Sequence, residues 1–269
     1  AVFNSAGLSR WLARLYAERL DSAWLQIERV SVPLPGLPLD LAGFTLAHFS
    51  DLHLGPFLRR EGMRHVTDSV NALGAQMVAY TGDFVSALDG GEAEVIADEF
   101  ARLCAPRGVF AVLGNHDHWT DAEQVAAAAE RAGVTLLRNA HVLLQCGAAQ
   151  LAVAGVESVW EKRHNLSLAL AGLPAHVPVV LLAHEPDFAD EAAASGRVAL
   201  QLSGHTHGGQ VRLPNHQPVL RPHLGRNYLA GAYHVAGMSL YVNRGIGAAA
   251  PPLRLNCRPE ITLITLQVG

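Results

Sequence analysis

The sequence predicts an α/β fold with a mixed sheet system, and three observations carry that prediction. The chain has 269 residues, 50% of them hydrophobic and 16% charged, which is bulk for one large core and points to one domain with a short N-terminal extension. From residue 44 onward, short apolar runs of strand length alternate with polar loops and helical segments. Later runs at 210–213, 239–243 and 261–267 follow one another without intervening helices and imply an antiparallel portion.

Taken in order, residues 8–20 place Leu8, Trp11, Leu12, Leu15, Tyr16 and Leu20 at helical spacing, with Arg10, Arg14 and Arg19 largely elsewhere. This predicts an amphipathic helix that either packs on the domain or lies at a membrane surface, where Trp11, Tyr16 and the arginines suit the headgroup layer. Pro33-Leu-Pro-Gly-Leu-Pro38 breaks regular structure. The expected division is therefore 1–40 as helix and connection and 41–269 as the main domain. Strands are predicted at 44–50, 77–81, 109–113, 151–155, 179–183 and 198–202. Helices are predicted at 61–73, where Met63, Val66, Val70 and Leu73 share a face, and at 92–103. A third begins at Thr120, because Thr120-Asp-Ala-Glu123 reads as a capping box before an alanine-rich run.

Composition excludes several functions. A net charge of -4 with no basic cluster argues against a standing nucleic-acid partner. Lys162 is the only lysine, so basic character rests on arginine, which reflects either codon bias or phosphate recognition by planar guanidinium groups. Cys104, Cys146 and Cys257 form no CxxC pair and indicate neither a disulfide framework nor a thiolate zinc site. No apolar run reaches the roughly 18 residues that span a bilayer. The first residue is Ala1, not Met, which leaves room for an upstream signal or anchor.

Histidine is over-represented at 14 residues, and its placement is informative. The predicted strands end in bursts of metal-ligand types: Asp51-Leu-His53, Gly82-Asp83, Gly114-Asn-His-Asp117, His184 and Gly204-His-Thr-His207. Carboxyl ends of strands in open α/β sheets converge on one crevice. Pairs such as Asp51/His53 and His205/His207 point the same way if the chain there is extended.

Five blocks, Ser50-Asp-Leu-His-Leu-Gly55, Thr81-Gly-Asp83, Gly114-Asn-His-Asp117, Ala183-His184 and Gly204-His-Thr-His-Gly-Gly-Gln210, make the chain resemble the calcineurin-like metallophosphoesterases over about residues 41–268. Leu182-Ala-His-Glu-Pro-Asp187, His207-Gly-Gly-Gln-Val-Arg212 and Tyr241-Val-Asn-Arg-Gly-Ile-Gly247 are similar to the subgroup of bacterial phosphodiesterases and cell-envelope phosphoesterases.

The resemblance implies a sandwich of two mixed β-sheets flanked by helices, with a metal site at strand C-terminal ends. It implies that Asp51, His53 and His207 hold one metal, that Asn115, His184 and His205 hold a second, and that Asp83 bridges both. Two divalent transition ions are then expected, manganese or iron ahead of zinc or cobalt, and a bridging hydroxide attacks a phosphodiester or pyrophosphate bond. His116 is left free of metal as general acid or charge stabiliser, with Asp117 orienting its ring.

The remaining histidines carry less. His65, His141, His176 and His234 read as surface or structural residues, His48 shares the first strand without reaching the metals, and His118 either lines the pocket or does not. Arg212 and Arg244 either contact a distal phosphate or form salt bridges. Two alternatives stand beside the main reading: a UDP-2,3-diacylglucosamine pyrophosphatase of lipid A synthesis, and a non-catalytic metal-binding interaction scaffold. The expected location is a bacterial cell envelope or membrane surface, with the cytoplasm as the alternative. The sequence does not fix the oligomeric state.

Overall fold

The computed structural model describes residues 24–55, 57–88, 90–249 and 253–269. Its organisation follows from short strands that are apolar on both faces and so must be covered on both. Strands β2 (Thr45–Phe49), β3 (Met77–Thr81) and β4 (Val109–Val112) run parallel. Their alternate residues Leu46, Met77, Ala79, Phe110 and Val112 enter an apolar layer between two sheets. The residues between them, Ala47, Phe49, Val78, Tyr80 and Ala111, pack against helices α1 (Arg60–Ala72), α2 (Glu92–Phe100) and α4 (Ala122–Arg131). Period-two alternation thus feeds two cores at once.

The first sheet has the order β1-β12-β2-β3-β4-β5, with β1 (Gln26–Leu34), β5 (Thr135–Leu136) and β12 (Glu260–Val268). The second has the order β10-β11-β9-β8-β7-β6, built from β6 (Ala140–Cys146), β7 (Ala149–Gly155), β8 (Val179–Leu182), β9 (Leu200–Ser203), β10 (Gly231–Val235) and β11 (Met238–Val242). Both sheets are mixed. Val180, Leu182, Leu200 and Leu202 face the first sheet, while Val179, Leu181 and Ala183 pack outward near α5 (Leu166–Ala169) and α6 (Ala189–Ala194). The predicted two-sheet α/β architecture is therefore present.

Three local expectations differ from the structure. Residues 26–34, assigned to the connection, form β1, because Val32 and Leu34 complete the inter-sheet core and the strand pairs in parallel with β12 over its whole length. Residues 210–213 form only isolated bridges, Val211 with Leu255 and Arg212 with Pro218; Gln210 at φ +45° and the prolines 214 and 218 do not sustain a strand. The alanine-rich helix starts at Ala122, with Asp121 as its cap accepting from the Gln124 N–H at 3.0 Å. Thr120 instead ends α3 (Asn115–Thr120), its hydroxyl donating to the His116 carbonyl. The expected antiparallel portion is present, as β11 with β10 and β12 with β2, while β11 also runs parallel to β9 and β12 parallel to β1.

The predicted helix at 8–20 lies outside the described residues. Among those described, no helix is long and apolar enough to cross a membrane.

Candidate metal centre

Strands β2, β3, β4, β8 and β9 deliver their C-terminal ends to one edge of the sandwich, and the ligand-type residues all follow those ends. Backbone hydrogen bonds lace the loops together: Asp51 N–H to the Gly82 carbonyl at 3.0 Å, His53 N–H to the Asp83 carbonyl at 3.0 Å and Gly204 N–H to the His184 carbonyl at 3.0 Å. Tyr80, fully buried, joins two of them, its hydroxyl donating to the Asp83 carbonyl at 2.9 Å and accepting from the Leu52 N–H at 3.2 Å.

The paired residues converge by a route other than the expected strand alternation. Asp51, His53, Asp83, His205 and His207 all have left-handed backbone, with φ between +49° and +69°. Each such conformation in a residue bearing a Cβ costs on the order of 1–3 kcal/mol and persists only where the surroundings enforce it. Five of the twelve non-glycine residues with positive φ among the described residues gather in this one cluster.

Side chains meet accordingly. Ligand atoms of Asp51, His53 and His207 lie within 4.8 Å of one another, as do those of His53, Asp83 and His116, and those of Asp51, Asp83 and His184. His53 Nε2 and His207 Nε2 face each other at 3.0 Å, a separation open to two ligands each about 2.1 Å from one ion. Asp83 Oδ2 is 3.4 Å from His53 Nε2 and 3.2 Å from His184 Nε2, which places one carboxylate between the two groups. His205 touches this set through its ring, 5.0 Å from that of His184, and through its N–H, which donates to both Asp51 oxygens at 3.1 and 3.0 Å. Asn115 opens α3 and is buried.

Neighbours fix which imidazole nitrogen is available. His184 Nδ1 donates to the Thr81 carbonyl at 2.6 Å, and His205 Nε2 to the His223 carbonyl at 2.7 Å, so His184 Nε2 and His205 Nδ1 are the ring nitrogens left for other partners. Burial opposes charge on His184, but the Asp83 and Asp51 carboxylates hold it well above the usual imidazole range. Burial lowers His53 to about 3 and His207 well below the usual imidazole range, so both are neutral donors. Burial also opposes ionisation of Asp83, but His184, His53 and His116 hold its carboxyl well below the usual range. Asp51 and Asp117 are pushed up to about 7 by burial, with the Asp83 charge adding to the rise.

The donor set fits divalent transition ions. Asn115 Oδ1 is buried without a hydrogen-bond partner, which is costly unless something else binds it. Crowded carboxylates, neutral imidazoles and an unsatisfied amide oxygen together are the ligand types of such ions.

Two expected roles look different in space. His116 is half-buried, its ring edge-on to His53 with centroids 4.6 Å apart, and it lies within ligand reach of Asp83. Asp117 does not orient that ring, because its oxygens accept backbone N–H groups from Asp83 (3.0 Å), Gly114 (2.9 Å) and Val85 (3.2 Å). It positions the Asp83 loop instead. His118 turns to Glu157 at 3.1 Å, Arg244 pairs with Glu28 and Glu260, and Arg212 donates to the Gly208 carbonyl. His48 bonds Thr81 inside the sheet, and His141 bonds the Ala169 carbonyl.

Sequence reasoning missed two buried residues. Arg254 donates to His207 Nδ1 at 3.3 Å and to the Arg244 and Gly247 carbonyls at 2.8 Å each. No local signal marks it. Glu185 accepts from the Ser158 hydroxyl at 2.6 Å and the Val159 and Trp160 N–H groups at 3.0 and 3.1 Å; its place beside His184 was the available clue.

Close approach explains the glycine of the Gly114-Asn-His-Asp block. A Cβ at Gly114 would come within 2.6 Å of the Asp83 nitrogen and overlap its carboxylate. Gly114→Ala is expected to destabilise the protein by about 1–3 kcal/mol and to weaken metal binding; unfolding with and without added metal checks this, and wild-type behaviour in both would contradict it.

Comparison with known proteins matches this arrangement. The family model described as calcineurin-like phosphoesterase matches residues 44–209. A Bacillus subtilis protein named as an uncharacterized metallophosphoesterase, YkuE, is 31% identical over 94% of this chain and 89% of its own length. The Escherichia coli phosphodiesterase YaeI is 30% identical over 84% and 83%. A Bos taurus transmembrane protein with a metallophosphoesterase domain is 32% identical over 90% of this chain, which spans only 57% of that protein. Among solved structures, the Thermus thermophilus sulfate thiohydrolase SoxB superposes with a TM-score of 0.52 at 17% identity, covering 85% of this chain and 57% of that one, which shows a shared fold.

Proposed function

The chain belongs to the calcineurin-like phosphoesterase family, and from that premise we propose that this metallophosphoesterase cleaves a phosphodiester or pyrophosphate bond with two divalent ions. The observation that carries the reading is the buried ligand cluster, with Asp83 set between His53 and His184 and with Asn115 Oδ1 buried without a hydrogen-bond partner. Asp51, His53 and His207 would hold one ion, Asn115, His184 and His205 the other, and Asp83 both. Bound there, the ions would supply Lewis acidity toward the phosphoryl oxygens and a water of lowered pKa near neutral pH.

The chain's own groups supply the rest. His116, reaching the cluster from the half-buried side, donates a proton to the leaving oxygen or stabilises its charge. Its backbone N–H donates to Asp83 Oδ1 at 2.9 Å, which ties the start of α3 to the central carboxylate. Asp117 and Tyr80 hold the Asp83 loop, and Arg254 holds His207. Manganese or iron is the favoured pair, with zinc or cobalt also compatible with the ligands.

The E. coli relative's name, phosphodiesterase, supports diester over monoester as substrate. Hydrolysis of UDP-2,3-diacylglucosamine, whose pyrophosphate bond suits the same ligand cluster, is the second reading. Such a substrate fits a cell-envelope or membrane-surface location. A non-catalytic scaffold is disfavoured by the full ligand set.

Purified protein reconstituted separately with Mn²⁺, Fe²⁺, Zn²⁺ and Co²⁺ and assayed on monoester, diester and pyrophosphate compounds tests the proposal. Diester or pyrophosphate turnover should exceed monoester turnover with at least one ion. Exclusive monoesterase activity, or none with any ion, would overturn it.

A further inference from the structure

From His205 to Pro259 the chain carries Arg212, Arg221, Arg226, Arg244, Arg254 and Arg258 and no Asp or Glu, in a protein whose net charge is -4. Arg244 and Arg254 turn inward, to the Glu28/Glu260 pair and to His207. Arg221 and Arg226 remain at the surface. Three carboxylates from other parts of the chain lie beside it and accept from neutral donors: Asp187 from the backbone N–H groups of Arg226, Asn227 and Tyr228, Asp190 from the Tyr228 hydroxyl at 2.7 Å, and Glu161 from the Trp119 indole N–H at 2.8 Å.

The same stretch exposes large apolar side chains. Leu213, Val219 and Leu220 are 49%, 62% and 70% exposed on a loop that closes through Val219 N–H to the Val211 carbonyl and Leu213 N–H to the Gln217 carbonyl. Arg212 N–H ties this loop to Leu255, itself 50% exposed. Toward the metal centre the loop reaches His223, whose carbonyl receives the His205 Nε2 hydrogen bond. Trp160 meets His223 at 5.0 Å and Trp119 at 5.4 Å, and Trp119 is 52% exposed. Trp160 is fixed by the bonds of Ser158, Val159 and its own N–H to buried Glu185. An arginine-bearing rim with exposed apolar side chains is thus linked from Leu255 through the 211–220 loop, His223 and Trp160 to Trp119, whose ring meets that of His116 at 4.7 Å.

Single exposed apolar residues are ordinary, but a continuous run beside an active site marks an interaction surface. Side chains projecting from a loop tip, indole at one end, arginine alongside and no unengaged acid on the stretch are the chemistry of an anionic bilayer surface. We infer that this rim docks on an anionic lipid surface, with Leu213, Val219, Leu220 and Trp119 at the headgroup–acyl boundary and Arg221 and Arg226 among the lipid phosphates. Docked so, the metal centre faces phosphate esters carried by lipids; only this consequence rests on the phosphoesterase reading.

Flotation of the full chain with phosphatidylcholine vesicles, with and without phosphatidylglycerol, tests the inference. Binding should require the anionic lipid. The double substitution V219E/L220E should lower partition by more than about tenfold, and Arg221→Ala by roughly fivefold, with metal content and turnover of a small soluble diester unchanged. Leu220→Ser, a milder change, gives the same direction if the double variant folds poorly. Failure of the wild type to bind anionic vesicles overturns the inference; so does equal partition of wild type and variants, which would assign the contact to residues 1–23. Vesicle binding by a protein inactive on every phosphate ester would overturn the catalytic reading and leave the docking surface standing.

Discussion

Asp83→Asn is expected to weaken both metal positions together and to reduce turnover by at least about 10²-fold, since even residues outside the ligand set of a metal site cost 10–100-fold in affinity or activity. The substitution keeps the shape of the side chain and removes its charge. The loop around it should survive, because Asp83 is held through its backbone: its N–H by Asp117, its carbonyl by Tyr80 and the His53 N–H. What is lost is the carboxylate lying 3.4 Å from His53 Nε2 and 3.2 Å from His184 Nε2, the group that joins the two ligand sets. Elemental analysis should show both ions depleted, and the rise in melting temperature on adding Mn²⁺ should shrink in the variant. Retention of two ions with full activity would show that Asp83 does not bridge them.

The ligand blocks were legible in the sequence because each sits where a parallel strand ends, and apolar runs locate those ends well. The core strands β2, β3, β8 and β9 are short and mostly apolar, interrupted by His48 and Gln201, and their positions agree with expectation within a few residues. β1 was not legible: Gln26, Glu28, Arg29 and Ser31 make it read as polar, and it is a strand because β12 supplies a partner far along the chain. The late loop at 210–213 failed in the opposite sense, apolar enough for a strand but interrupted by prolines and a left-handed Gln210.

Within the site, the identity of the cluster was readable, while its local geometry was not. Alternation suggested that Asp51 with His53, and His205 with His207, share a direction along extended chain. The backbone is left-handed at all four residues, and nothing in a dipeptide spacing reports that. Nor does spacing report which atoms a buried side chain will satisfy. Asp117 follows His116 directly, yet its oxygens serve three backbone N–H groups. Arg254 lies 47 positions from the histidine it contacts.

His116→Ala is expected to lower turnover by roughly 10²–10⁴, the reach of a positioned acid–base group, while both ions stay bound. The geometry makes this a real test, because a His116 ring nitrogen lies within 4.8 Å of ligand atoms of His53 and Asp83, near enough for metal binding to be the competing role. Two features favour proton transfer. His53 and Asp83 are already engaged with His207 and His184, so His116 would be surplus to sets that are otherwise complete. It is also half-buried, unlike the seven assigned ligands, and its ring contacts that of Trp119, which is 52% exposed, at 4.7 Å. A diester with a leaving alcohol of low pKa needs little protonation, so the deficit of the variant should shrink on such substrates; a metal ligand would give a deficit independent of the leaving group. Metal analysis separates the two in the same preparation. Loss of an ion from His116→Ala, with equal deficits on good and poor leaving groups, would make it a ligand and remove it from proton transfer.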